Sequence, residues 1–163
     1  MNTHDEARFL NEAVSLAIDN VQNDGGPFGA LIVTADGRTF AGVNRVTASN
    51  DPTAHAEVMA IRNACTSLGT FELSGSTLYT SCEPCPMCLS AALWARVKTV
   101  VYAADRFDAE RAGFDDAAFY NFFDTPVEDR SMPVRHFAPS AGSPVAATAP
   151  FDAWRALAAR VDY

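Results

Sequence analysis

The run TLYTSCEPCPMCLSAALWARVKTVVYA, Thr77 to Ala103, decides the fold class. Thr77 to Cys82 is β-prone, Pro86 to Ala95 has the length and punctuation of a short helix, and Thr99 to Ala103 is β-prone again. That alternation predicts an α/β layer structure, because each strand buries its faces against the helices that connect it to its neighbours.

Working outward toward the N-terminus, apolar residues at Phe9, Leu10, Ala13, Val14, Leu16, Ala17, Ile18 and Val21 recur near the 3.6-residue period. They predict a helix over Asp5 to Val21, stopped by Gly25-Gly26-Pro27. Phe28 to Thr34 and Thr39 to Val46 read as strands of a hairpin around Asp36-Gly37. Asp51-Pro52-Thr53 offers a capping side chain followed by proline, so a helix is expected from about Ala54 to Leu68, ended by Gly69. Toward the C-terminus, a helix over about Asp115 to Phe123 and a strand over Val134 to Phe137 are expected. Ala138 to Pro150 is composed of small residues without periodicity and reads as a linker, able to span on the order of 40 Å when extended. Phe151 to Val161 is again helical in pattern, and no internal repeat is found.

With 163 residues and 48% apolar content the chain is the size of one domain with an ample core. Its longest apolar stretches, such as Gly29 to Val33, are far shorter than the roughly 18 residues of a membrane span. The acidic opening from Met1 to Glu6 is not a secretory signal, so a cytoplasmic protein is expected. Twenty acidic against twelve basic side chains give a net charge of -8, a field that repels phosphate backbones and makes nucleic acid an unlikely partner.

Three of the four cysteines, Cys82, Cys85 and Cys88, lie close together, and in a reducing compartment such spacing speaks for metal ligation over disulfides. His55-Ala56-Glu57 and Pro84-Cys85-Pro86-Met87-Cys88 together supply one imidazole, two thiols and a carboxylate. Three such ligands suit zinc and leave the fourth tetrahedral position for water, as catalytic sites do. A structural site closed by Cys82 or another residue is the rival arrangement, while an iron-sulfur cluster lacks its fourth nearby cysteine. Cys85 and Cys88, three apart, are expected near one face of a helix whose first position is Pro86, and His55 in the first turn of its own helix. There free N-H groups favour thiolates. Glu57 follows His55 by about 200° of helix, which suits a carboxylate near the metal but not on it, positioned to carry protons.

At these motifs the sequence resembles the cytidine deaminase-like superfamily, through its His-x-Glu and Pro-Cys-x-x-Cys signature. The likeness extends to Gly26-Pro-Phe-Gly-Ala-Leu-Ile-Val33, Asn50-Asp-Pro-Thr-Ala-His-Ala-Glu57 and Tyr79-Thr-Ser-Cys-Glu-Pro-Cys-Pro-Met-Cys88. Within it the chain is most similar to bacterial guanine deaminases, through Ala112-Gly-Phe-Asp-Asp116 and the ending from Pro150-Phe-Asp-Ala-Trp-Arg155 to Tyr163.

The resemblance implies a single deaminase domain over 1–163 with a three-layer α/β/α sandwich around a mixed sheet. It also implies a homodimer in which a C-terminal segment, 138–163, is exchanged as a lid over the other chain's site. The implied reaction is zinc-dependent conversion of guanine to xanthine and ammonia, with His55, Cys85 and Cys88 on the metal, Glu57 moving protons and Asp116 assisting. Phe28, Asn44, Ala56, Trp94 and Tyr163 form the implied base-binding set. The alternatives are another small amino-heterocycle (cytosine, guanosine or an aminotriazine), a tRNA adenosine deaminase, and a noncatalytic zinc-binding module.

Overall fold

The structure is a computed structural model that describes residues 3–137 and 146–163. In chain order the elements are α1 (Thr3–Gln22), β1 (Gly29–Val33), β2 (Thr39–Val43), α2 (Val46–Ser49), α3 (Ala56–Leu68), β3 (Thr77–Cys82), α4 (Pro86–Trp94), β4 (Thr99–Ala104), α5 (Arg106–Arg111), α6 (Asp116–Asp124) and α7 (Ala149–Ala156). The chain divides into two compact units, one ending at Phe123 and the other beginning at Asp124.

In the first unit the strands form one sheet in the order β2-β1-β3-β4. β1 is antiparallel to β2, with Leu31 opposite Ala41, and antiparallel to β3, with Leu31 opposite Tyr79. β3 and β4 are parallel, joined through α4, with Leu78 opposite Val100. Both central strands are buried along their whole length, which the two-residue alternation of side chains explains. Leu31, Val33 and Tyr79 point to the α1 face, where Phe9 stacks on Tyr79 at 5.1 Å. Ala30, Ile32 and Leu78 point to the other face and meet Ala56, Ala60, Ile61 and Ala64 of α3. Helices on both faces of a mixed sheet give the three-layer α/β/α arrangement expected.

Gly42 sets how close α3 can lie. A Cβ there would stand 2.3 Å from both the Ala56 carbonyl oxygen and the Ala60 nitrogen, so helix and strand touch backbone to backbone.

Several sequence expectations need correction. The second strand ends at Val43, not Val46, because Asn44 Oδ1 accepts from the Val46 N-H and the chain turns into α2. The helix expected from Ala54 begins at Ala56, since Asp51 Oδ1 accepts from the Thr53 N-H and hydroxyl and closes its own turn. Val134 to Phe137 is not a strand; it pairs with none of the four.

α5 was not expected; it is a six-residue helix begun by an Asp105–Asp108 capping box. Of the expected linker, 138–145 lies outside the described residues. The last helix starts at Ala149, with Pro150 tolerated in its first turn, and stops at Ala156 because Leu157 is extended.

Candidate active site

Two helix N-termini, those of α3 and α4, meet beyond the C-terminal end of the central strand β3. Cys85 is the N-cap of α4, Pro86 its first residue and Cys88 its third, so one tight turn presents both thiols. His55 is the N-cap of α3, one position short of the first turn where the sequence placed it. No side chain caps either helix, which leaves the N-terminal N-H groups and the positive ends of both dipoles facing the thiols.

The three ligand atoms form a nearly equilateral triangle. Cys85 Sγ lies 3.7 Å from Cys88 Sγ and 3.7 Å from His55 Nδ1, and Cys88 Sγ lies 3.5 Å from the same nitrogen. Tetrahedral zinc with bonds of about 2.3 Å to sulfur and about 2.0 Å to nitrogen has edges of about 3.8 Å between sulfurs and about 3.5 Å from nitrogen to sulfur. The triangle is therefore one face of a tetrahedron of the right size, and the donor set fits zinc.

Among the described residues this is the one such cluster of potential ligands, and Cys82 is not in it. Burial pushes the Cys82 thiol up to about 11, and it donates to the Asp105 carbonyl at 3.6 Å. Among the described residues no fourth side chain joins the cluster to close it in the way a structural site would.

The two sulfurs lie within hydrogen-bonding reach of each other. The hydrogen-bond contact between them holds Cys85 down to about 4, and the same contact, together with burial, drives Cys88 well up. His55, bonded to the Cys85 sulfur, is raised. Glu57, at the second position of α3, is 6% exposed, and burial pushes its carboxyl up to about 7. A carboxyl whose proton affinity is near neutrality can both accept and return a proton.

His55, Glu57 and Cys85 open into a cleft of about 220 Å³ also lined by Gly26, Phe28, Asn44, Val46, Thr47, Phe114 and Asp116. Asn44 is held from behind: the buried Asn20 carboxamide donates to its carbonyl at 2.9 Å and to that of Gly26 at 2.8 Å. A Cβ on Gly26 would come within 2.9 Å of the Asn44 carboxamide. Phe28 meets Phe114 edge to face at 4.8 Å, which makes an aromatic wall. Asp116 is half-buried and its carboxyl raised by burial, whereas Asp115 is exposed.

Not every residue expected at the base lies here. Ala56 is fully buried between ligand and glutamate. Trp94 is 62% exposed at the far end of α4, nine residues and so about 13 Å of helix rise from Cys85. Tyr163 belongs to the second unit, where its ring meets Trp154 at 6.4 Å.

Sequence reasoning missed a group behind the metal loop. Arg106 Nε donates to Glu83 at 3.0 Å, its guanidinium lies 3.4 Å from the centre of the Tyr120 ring, and Tyr120 Oη donates to the Pro84 carbonyl at 2.6 Å. None of these has metal or nucleophile chemistry to mark it, and only the Asp105–Asp108 capping pattern signals the helix that carries Arg106.

A buried carboxyl beside three metal-ligand atoms, at the mouth of an aromatic cleft, defines a metal-dependent hydrolase for flat rings. The chain belongs to the cytidine and deoxycytidylate deaminase family, matching its zinc-binding region over residues 3–104, and is a hydrolytic nucleobase deaminase. It is 52% identical to the guanine deaminase of Bacillus subtilis (strain 168), over 95% of this chain and 97% of that one. The X-ray structure of a guanine deaminase from Bacillus subtilis superposes with a TM-score of 0.88 at 49% identity, covering 100% of this chain and 99% of the other. A structure of the guanine deaminase from Nitrosomonas europaea matches at a TM-score of 0.63 and 36% identity, over 66% of this chain and 63% of that one. A structure from work on tRNA:A34 deaminases matches at 0.62 and 34%, over 79% of this chain and 96% of that one.

Proposed function

We propose that this protein hydrolyses guanine to xanthine and ammonia, with zinc held by His55, Cys85 and Cys88. The observation that carries the chemistry is the tetrahedral triangle of ligand atoms with the buried Glu57 carboxyl beside it. The choice of guanine is supported by the 52% identity to a guanine deaminase along nearly the whole chain.

Zinc, when bound, supplies the Lewis acidity that makes water a nucleophile at neutral pH. Glu57 takes the proton of the attacking water as oxygen joins C2 of the base. It delivers that proton to a ring nitrogen, and the proton left on the C2 hydroxyl then passes by way of the carboxylate to the amine as the C2–N bond breaks, so the carboxylate is regenerated as ammonia leaves. Asp116, across the cleft, helps carry the second proton. The Asn44 carboxamide donates to and accepts from the base edge, and Phe28 packs on its face.

The functional unit in this reading is a cytoplasmic homodimer whose chains exchange their 138–163 segments as lids. The all-free cysteines suit a reducing compartment. The exposed apolar residues Phe151, Leu157 and Val161 suit a segment that is covered on assembly. Such a dimer gives Trp94 and Tyr163 a route to a base. Truncation after Phe137 then lowers turnover far more than zinc content, and unchanged turnover removes the lid.

The test is ammonia release from guanine, guanosine, cytosine, cytidine, adenine and an aminotriazine by protein of verified zinc content, with Glu57→Gln as control. Turnover of guanine is expected. Turnover confined to another base relocates the substrate, and tight tRNA binding with steep salt dependence points to RNA despite the charge of -8.

A further inference from the structure

We propose that Tyr120 is a positioning residue for the deamination: with Arg106 and Glu83 it braces the face of α6 that carries Asp116 against the Pro84–Cys85 segment of the metal site. The proposal rests on the deaminase reading above.

α6 has no fully buried residue, and Phe119 and Phe123 on it are 54% and 59% exposed. No residue of α6 is sunk in the core, so directional contacts such as those of Tyr120 contribute to fixing where this helix lies. Tyr120 follows Asp116 by four residues, so the two share one face of α6. The Tyr120 hydroxyl donates at 2.6 Å to the Pro84 carbonyl, one peptide unit from Cys85.

The ring that carries this hydroxyl is itself gripped. The Arg106 guanidinium lies 3.4 Å from its centre, a close cation-π contact. Arg106 is fixed in turn by Glu83, whose Oε2 accepts from Arg106 Nε at 3.0 Å and from the Arg106 backbone N-H at 3.1 Å, while Oε1 pairs with Nη2. The pair is largely withdrawn from solvent, with side-chain exposures of 27% and 13%. Glu83 and Pro84 are consecutive, so the same short loop is held by its side chain from α5 and by its backbone from α6. The planar, forked guanidinium suits both jobs at once, one edge to a carboxylate and one face to a ring.

The function follows from what lies at each end. One end of the brace is the loop that carries a metal ligand; the other is the helix whose first residue, Asp116, lines the cleft. A small rotation of α6 would carry Asp116 away from the reacting base without disturbing His55, Cys85 or Cys88.

The experiment uses zinc-loaded Tyr120→Phe, which keeps the ring under Arg106 and removes only the hydroxyl. The expected result is a kcat for guanine lower by about tenfold with KM within about twofold, and zinc release to a chelator at the wild-type rate. Added to Asp116→Asn, Tyr120→Phe should change kcat by less than about twofold, since both act on the same proton carrier. Arg106→Lys, which keeps the charge but loses the flat stack, should show a smaller loss of the same kind. Wild-type kcat in Tyr120→Phe overturns the proposal. So does a tenfold loss that persists on top of Asp116→Asn, or faster zinc release with unchanged kcat per bound zinc. Wild-type protein that ignores guanine but deaminates another base counts against the guanine reading alone, and the brace is then scored on that base.

Discussion

Glu57 and Asp116 face the same cleft from walls of opposite construction. Glu57 sits on α3, whose residues Ala56, Val58, Ala60, Ile61 and Ala64 are buried around it. Asp116 begins α6, a helix with no buried residue. The inner wall is part of the core; the outer wall is hung on an edge-to-face ring pair at Phe114 and a few polar contacts at Tyr120. In the proposed mechanism the carboxyl beside the metal ligands, whose work tolerates little displacement, sits where packing is dense.

Substitutions can break or sharpen this contrast. The largest effect is expected from Cys85→Ala on the inner wall: stoichiometric zinc and turnover are lost and the melting temperature falls, because the site ties α3 to α4. Elemental analysis and a thermal melt check it, and retained zinc would refute the ligand assignment. Next comes Glu57→Gln, expected to lower kcat by about 10³-fold with zinc content unchanged, as measured by single-turnover ammonia release. On the outer wall Asp116→Asn should cost less, roughly 10²-fold in kcat, again with zinc retained. A loss equal to that of Glu57→Gln would erase the distinction between the walls.

The smallest effect is expected from Gly26→Ala. Its added methyl crowds the Asn44 carboxamide at 2.9 Å and should raise KM for guanine about tenfold while kcat holds within about twofold. A fall in kcat instead would move Asn44 from recognition to chemistry.

The same division governs what could be read before the structure was known. His55, Glu57, Cys85 and Cys88 declare themselves because imidazole, thiol and carboxylate at those spacings have few other uses. The α1 helix follows from its 3.6-residue period, and the buried strands β1 and β3 from short β-prone runs bounded by turn residues. The outer wall leaves no such record. α5 is too short to show a period, and Glu83, Arg106 and Tyr120 are brought together only by the way α5 and α6 return to the β3–α4 loop. Val134 to Phe137 has the composition of a strand, but a strand exists only with a partner, and composition does not say whether one is in reach.

The bare contact of Gly42 with α3 acts as a mechanical stop. Elsewhere in the core, neighbouring side chains can be exchanged in compensating pairs, one larger and one smaller, and the layers shift by fractions of an ångström to suit. Where the Ala56 carbonyl and the Ala60 nitrogen rest on Gly42 there is no side chain to exchange. The datum from which His55 and Glu57 project is therefore written in main-chain atoms, which all sequences share. Substitutions through the rest of the core can thus be absorbed while the depth at which His55 and Glu57 sit stays fixed.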